Sequence, residues 1–143
     1  MQALYYDRDV KPVSQEQWQQ LGCQPGYSRV GYADGIRHGR QVTVITFWSG
    51  IAVGGGPDGP LIFCTCAGVR GLADRGAAYQ RRWGWPTLEA ARAGHEAVTA
   101  WIDRVAAFLA GATSQLPAPD PPGTPAGQPG RQALTGLPRG SNG

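Results

Sequence analysis

The chain has 143 residues, with twelve Arg and one Lys against ten carboxylates and a net charge of +3. That length accommodates one domain with a real core and leaves little room for a second, and no apolar run approaches the roughly 18 to 20 residues that cross a bilayer. The charge is too small and too dispersed to mark a nucleic-acid-binding protein by itself, and three cysteines, an odd number, fit a reduced compartment better than a disulfide scaffold.

The opening MQALYYDRDV puts acidic residues where a signal peptide carries its apolar stretch, so a cytoplasmic protein is expected. Residues 4–6 read as a short strand. Ser14 and Gln17 have capping-box spacing, and Val13 and Trp18 have the spacing of a hydrophobic staple. A short accessory helix is therefore predicted from Gln15 to Leu21, with Gly22 as its stop. YSRVGYADG reads as a strand that gives way at Gly35 to a loop, GIRHG.

In QVTVITFWSG, Val42, Val44, Thr46 and Trp48 alternate with Thr43, Ile45, Phe47 and Ser49. Bulky apolar groups on both faces predict a central strand. The next strand, LIFCTCAGV, puts Leu61, Phe63, Thr65 and Ala67 on one side and Ile62, Cys64 and Cys66 on the other. Residues 71–76 form a turn, and AAYQRRWGW is a fourth strand. Short connections between consecutive strands favour an antiparallel meander.

Thr87 is a good N-cap for a helix beginning at Leu88, with Glu89 in the first turn where the helix dipole favours it. Ala91, His95, Val98, Trp101, Ile102, Val105, Phe108 and Leu109 recur at three- and four-residue steps, one apolar stripe able to lie across a sheet. Gly111 ends it. From Thr113 onward, seven Pro and six Gly fall in 31 residues with almost nothing to bury. The expected fold is α+β: a three- to four-stranded antiparallel meander packed against one long C-terminal helix, with a short N-terminal helix. Residues 1–111 form the domain and residues 112–143 a disordered Pro/Gly-rich tail.

Several groups could carry chemistry. The stretch GGGPDG, with Gly54, Gly55, Gly56 and Asp58, is rich in unencumbered backbone N–H groups, yet it leads into a strand and not into the helix N-terminus that an anion cradle needs. It reads as a mobile hairpin loop beside Trp48, able to close over a ligand together with His95. Cys64 and Cys66 send two thiols to one face of a strand. A tetrahedral zinc site needs four ligands, and only Cys23, His38 and His95 remain as soft partners, so no metal or cofactor is expected and the two thiols read as small core hydrophobes. His95 interrupts an apolar stripe. A general base for a Cys64 or Cys66 thiolate and a packed histidine donating to a backbone carbonyl are the two readings, the second being preferred. Tyr79, Arg81, Arg82, Trp83 and Trp85 combine cations with stacking rings, as single-stranded nucleic acid requires. An edge strand with solvated Arg81 and Arg82 is preferred over that reading.

Taken together, YYDRDVKPVSQEQW, VTVITFWSGI, the Gly-rich stretch running into GPLIFCTC, and AARAGHEAV resemble a family of small proteins of unassigned function found in actinobacteriophage genomes and prophages. The resemblance covers roughly residues 4–109 and includes Gly94 and His95. It departs where the family tends to carry an Asp-His pair, here within Ile51, Ala52 and Val53, and where the family tends to carry Glu, here Cys64. Chemistry dependent on those polar groups could not operate in this chain. The resemblance implies a non-enzymatic binding protein of phage or prophage origin, acting on a host protein or a small metabolite, with no membrane partner and its oligomeric state open. The alternatives are a small cysteine-dependent enzyme using Cys64 or Cys66 with His95, and a single-stranded nucleic-acid binder.

Overall fold

A computed structural model describes residues 4–56, 59–71 and 77–114. Its elements, in chain order, are β1 (Tyr5–Tyr6), β2 (Pro12–Val13), α1 (Gln15–Gly22), β3 (Arg29–Arg37), β4 (Arg40–Gly56), β5 (Gly59–Gly71), β6 (Ala77–Trp85) and α2 (Leu88–Leu109). The fold is α+β with an antiparallel sheet, as the alternation and the helical stripe predict. The sheet has six strands among the described residues, and not three or four. The expected meander is β3–β4–β5–β6, the short strand read at residues 4–6 is β1, joined to β4 through Tyr5 opposite Ile51, and the unexpected strand is β2, which pairs with β1. A two-residue strand such as β2 is too short to show a period. Pro12 sits on the outermost strand, where a missing N–H costs the ladder nothing. The expected tail lies outside the described residues from 115 onward.

Local signals place the helix ends. Ser14 and Gln17 make the reciprocal capping box at the start of α1. The helix runs one residue further than predicted, because Gly22 stays helical and Cys23 closes it. Thr87 caps α2 by accepting from the Ala90 N–H. At its far end Gly111 takes a φ of 77°, and Ala112 N–H bonds back to the Ala107 carbonyl. That is the closure a glycine in left-handed conformation permits. Arg40 then donates to the Leu109 carbonyl, and Arg37 and His38 approach Asp103, tying the end of α2 to the β3–β4 hairpin.

Both predicted loops shrink. The strand expected to stop at Gly35 continues to Arg37, paired with Arg40. The turn is His38-Gly39 alone, with both φ positive, 53° and 73°, the two-residue hairpin turn that matches strand twist. Likewise Gly54, Gly55 and Gly56 belong to β4, and Gly56 pairs with Gly59. Ladder bonds come from the backbone and need no side chain. Asp58, assigned to the candidate loop, lies with Pro57 outside the described residues.

Residues opposite one another in an antiparallel ladder share a face, so the register sorts β4 from Val42 to Trp48 and β5 from Phe63 to Val69 into two faces, while Ile62, next to the register shift, is buried as well. Val42, Val44, Thr46 and Trp48 lie beneath α2 with Phe63, Thr65, Ala67 and Val69, all buried. Val98, Trp101, Ile102 and Val105 close the core from the helix side. The other face carries Tyr32, Ile36 and Ile45, which are 54%, 51% and 38% exposed. These are three of the four large apolar side chains exposed among the described residues. The central strand is thus covered on one face only, where its sequence had apolar groups for two.

Candidate functional site

Beneath α2, Trp85, Thr65, Thr46 and His95 form one chain of hydrogen bonds. Trp85 Nε1 donates to Thr65 Oγ1 at 2.9 Å, Thr65 and Thr46 hydroxyls meet at 2.6 Å, and Thr46 Oγ1 meets His95 Nδ1 at 2.7 Å. Thr46 and Thr65 are fully buried. Because the indole can only donate, the run of bonds is satisfied when each threonine donates onward, which makes Nδ1 an acceptor and leaves the ring proton on Nε2. His95 is therefore a packed histidine, as preferred from the sequence, but its partner is a hydroxyl and not a backbone carbonyl. Gly31 makes room for it: a methyl there would stand 2.7 Å from His95 Cδ2. The register of β3 shifts at that point, between Arg29 and Gly31.

Burial lowers the His95 pKa from its ordinary 6.5, with Glu96 opposing weakly in the other direction. Protonation would also oblige Nδ1 to donate and reverse the hydroxyl chain. The unfolded chain then takes up a proton more readily than the folded one, so stability falls as pH drops through 6.5 and levels off below the folded-state value. Urea unfolding at a series of pH values is expected to show this slope in the wild type and a flatter one in His95→Gln. Equal slopes would remove His95 as the source.

The face opposite α2 holds the second cluster. Tyr32, Ile45, Cys66 and Arg82 form one row across β3, β4, β5 and β6, and Phe47, Cys64 and Gly84 form the next. Cys64 and Cys66 are half-buried, with sulfurs 3.9 Å apart, and Arg82 Nη2 lies 3.9 Å from the Cys64 sulfur. They are not core hydrophobes: alternation puts Thr65 in the core and both thiols outside it. The hydrogen bond from Cys66 and the adjacent Arg82 lower the Cys64 pKa to about 6 against a desolvation penalty, whereas the Cys64 sulfur and burial push Cys66 up. An open trough of about 540 Å³ adjoins Cys66, lined among others by Gln41, Thr43, Ile45, Arg70 and Arg82.

These placements separate residues that the sequence grouped. His95 lies on the α2 side of the sheet and both thiols point to the other, so the Cys–His pairing of the enzyme reading is not formed. Trp48 is 4% exposed, donates to the Tyr6 carbonyl and stacks edge-on with Tyr27, leaving no ring face for a ligand. On β6, Trp83 and Trp85 are 1% and 2% exposed, while Arg82 points the opposite way. The stacking platform for nucleic acid is absent from the described surface. Strand β6 is an edge strand, as preferred, and Arg82 is exposed, but Arg81 is buried, its guanidinium 5.5 Å from the Trp83 ring. Its position between Tyr79 and Trp83 in a period-2 pattern carries it inward. Among the described residues no group of three or more His, Cys, Asp or Glu side chains could hold a metal, and no helix is long and apolar enough to cross a membrane.

Sequence reading missed the two threonines, although polar residues at buried positions of two adjacent strands are a signal of a cross-strand hydrogen bond. It also missed the partnership of Arg82 with Cys64, which depends on strand register. Comparison with family models, with curated proteins and with solved structures finds no match.

Proposed function

We propose that this protein is a non-enzymatic binding protein, of phage or prophage origin as its sequence resemblance implies, that takes a small anionic metabolite in the trough on the open face of its sheet. One observation carries the reading: a concavity of about 540 Å³, whose lining includes Thr43, Ile45, Arg70 and Arg82, on the face where the exposed apolar side chains gather. That volume is within the range of small-molecule sites, roughly 300 to 1,000 Å³, which combine an apolar floor with a few convergent polar groups. Two guanidinium groups supply planar, bidentate recognition of a carboxylate or phosphate.

Native mass spectrometry of the protein purified from cells that express it tests the reading. The wild type is expected to carry a small-molecule adduct that Thr43→Trp, which fills the trough, and Arg82→Glu, which reverses its charge, both lose. A wild-type spectrum without an adduct, or an adduct kept by both variants, would overturn it. A large polyanion as the true ligand would instead show itself in binding that falls steeply with salt.

A further inference from the structure

We propose that Cys64 and Cys66 form a redox-active dithiol on the open face of the sheet, with Cys64 as the attacking thiol, Cys66 as the resolving thiol, and an organic disulfide as the oxidant, consumed one for one without turnover. The inference goes beyond the binding reading and does not need it, since exchange at these sulfurs requires no retained ligand.

Three features of the geometry converge. The two sulfurs already lie 3.9 Å apart on one face of β5. The neighbours of the pair are unequal: Cys64 stands between Phe47 and Gly84, and Cys66 between Ile45 and Arg82. Gly84 puts no side chain opposite Cys64, and Arg82 reaches diagonally to the Cys64 sulfur at 3.9 Å. Reactive cysteines sit in such partly exposed, electropositive places, whereas structural ones are enclosed. The hydrogen bond from Cys66 and, after it, Arg82 hold the Cys64 pKa at about 6, close to the value at which a thiol attacks most effectively at neutral pH.

The chemistry balances without a further reagent. Cys64 thiolate attacks one sulfur of R–S–S–R′, that S–S bond breaks, and R′S⁻ departs and takes a proton. Cys66 gives up its proton and attacks the Cys64 sulfur of the mixed disulfide, releasing R–S⁻, which is protonated in turn. The dithiol is oxidised by two electrons and the organic disulfide is reduced to two thiols. Two residues apart on a strand, the Cα atoms are separated by about 6.6 Å, two rises of roughly 3.3 Å, near the upper end of the disulfide range of about 4.4–6.8 Å.

The test uses the full chain with Cys23, which is exposed and remote in sequence from the pair, replaced by serine in every arm, and glutathione disulfide as the probe. Intact-mass spectrometry of Cys23→Ser should show a loss of two hydrogens with no lasting glutathione adduct. Adding Cys66→Ser should trap one glutathione on Cys64, and adding Cys64→Ser instead should slow the reaction by at least about tenfold. Arg82→Ala, in the Cys66→Ser background, should move the pH midpoint of trapping upward from that of Cys66→Ser alone, because Arg82 favours the Cys64 thiolate. Circular dichroism confirms that each variant is folded, and the pH midpoint of iodoacetamide alkylation on the unmutated pair gives a readout independent of the serine variants. Equal rates for the two single-cysteine proteins, or a stable glutathione adduct without internal closure when both cysteines are present, would overturn the proposal.

Discussion

Trp101→Ala is expected to destabilise the protein by about 3 to 5 kcal/mol, the range for removing a large aromatic from a closed core. The indole is 1% exposed and lies against Tyr79 and Trp83 of β6, each at 5.6 Å between ring centres, the latter edge-on at 89°. The stripe on α2 predicts this burial, and the ring partners of Trp101 lie on β6. Loss of the ring removes its apolar area and leaves a void that neither neighbour can fill without giving up its own packing. Trp101→Phe, which keeps an aromatic edge, should cost clearly less. Urea unfolding gives the comparison: the midpoint should drop sharply for Ala with an unchanged slope. A change within about 0.5 kcal/mol, the size of an ordinary surface substitution, would mean that this side of α2 does not face the sheet.

The second large effect is expected at a position where helix propensity predicts the opposite sign. Gly94 lies in the interior of α2, where alanine should gain about 1 kcal/mol. A methyl at Gly94, however, would stand 2.3 Å from Cζ2 of Trp85. Trp85 is 2% exposed and its indole is held by Thr65, so it cannot swing away without breaking the chain of hydrogen bonds that ends on His95. Overpacking of this kind costs about 1 to 3 kcal/mol and sometimes more, so Gly94→Ala is expected to lose stability by about 2 kcal/mol net. In a double-mutant cycle, Trp85→Phe should absorb part of that loss, because the two sites share one contact. A neutral or stabilising Gly94→Ala, with no coupling to Trp85, would mean that α2 stands further from the sheet.

What the sequence by itself determined follows from local physics. Caps and periods are properties of neighbouring residues, so Ser14 and Gln17, Thr87 and Gly111 mark helix ends, and the stripe from Ala91 to Leu109 marks the face that α2 buries. Alternation likewise sorts each strand into two faces. Alternation does not say which face a helix will cover. Ile45 and Phe47, or Cys64 and Cys66, are as apolar as residues of a core, and only the arrangement of one long helix over one side of the sheet leaves them outside it. The pattern of β6 did hold a signal for Arg81, since Tyr79, Trp83 and Trp85 share its phase. Register decided the rest. It set Thr46 against Thr65 and under His95, and it placed Arg82 beside Cys66 and within reach of Cys64. It also kept the thiols and the histidine apart, because adjacent residues on a strand point through opposite sides of the sheet. Such pairings join residues from 16 to 49 positions apart, brought together by the packing of α2 and the ladder hydrogen bonds, and no property of either segment alone encodes them.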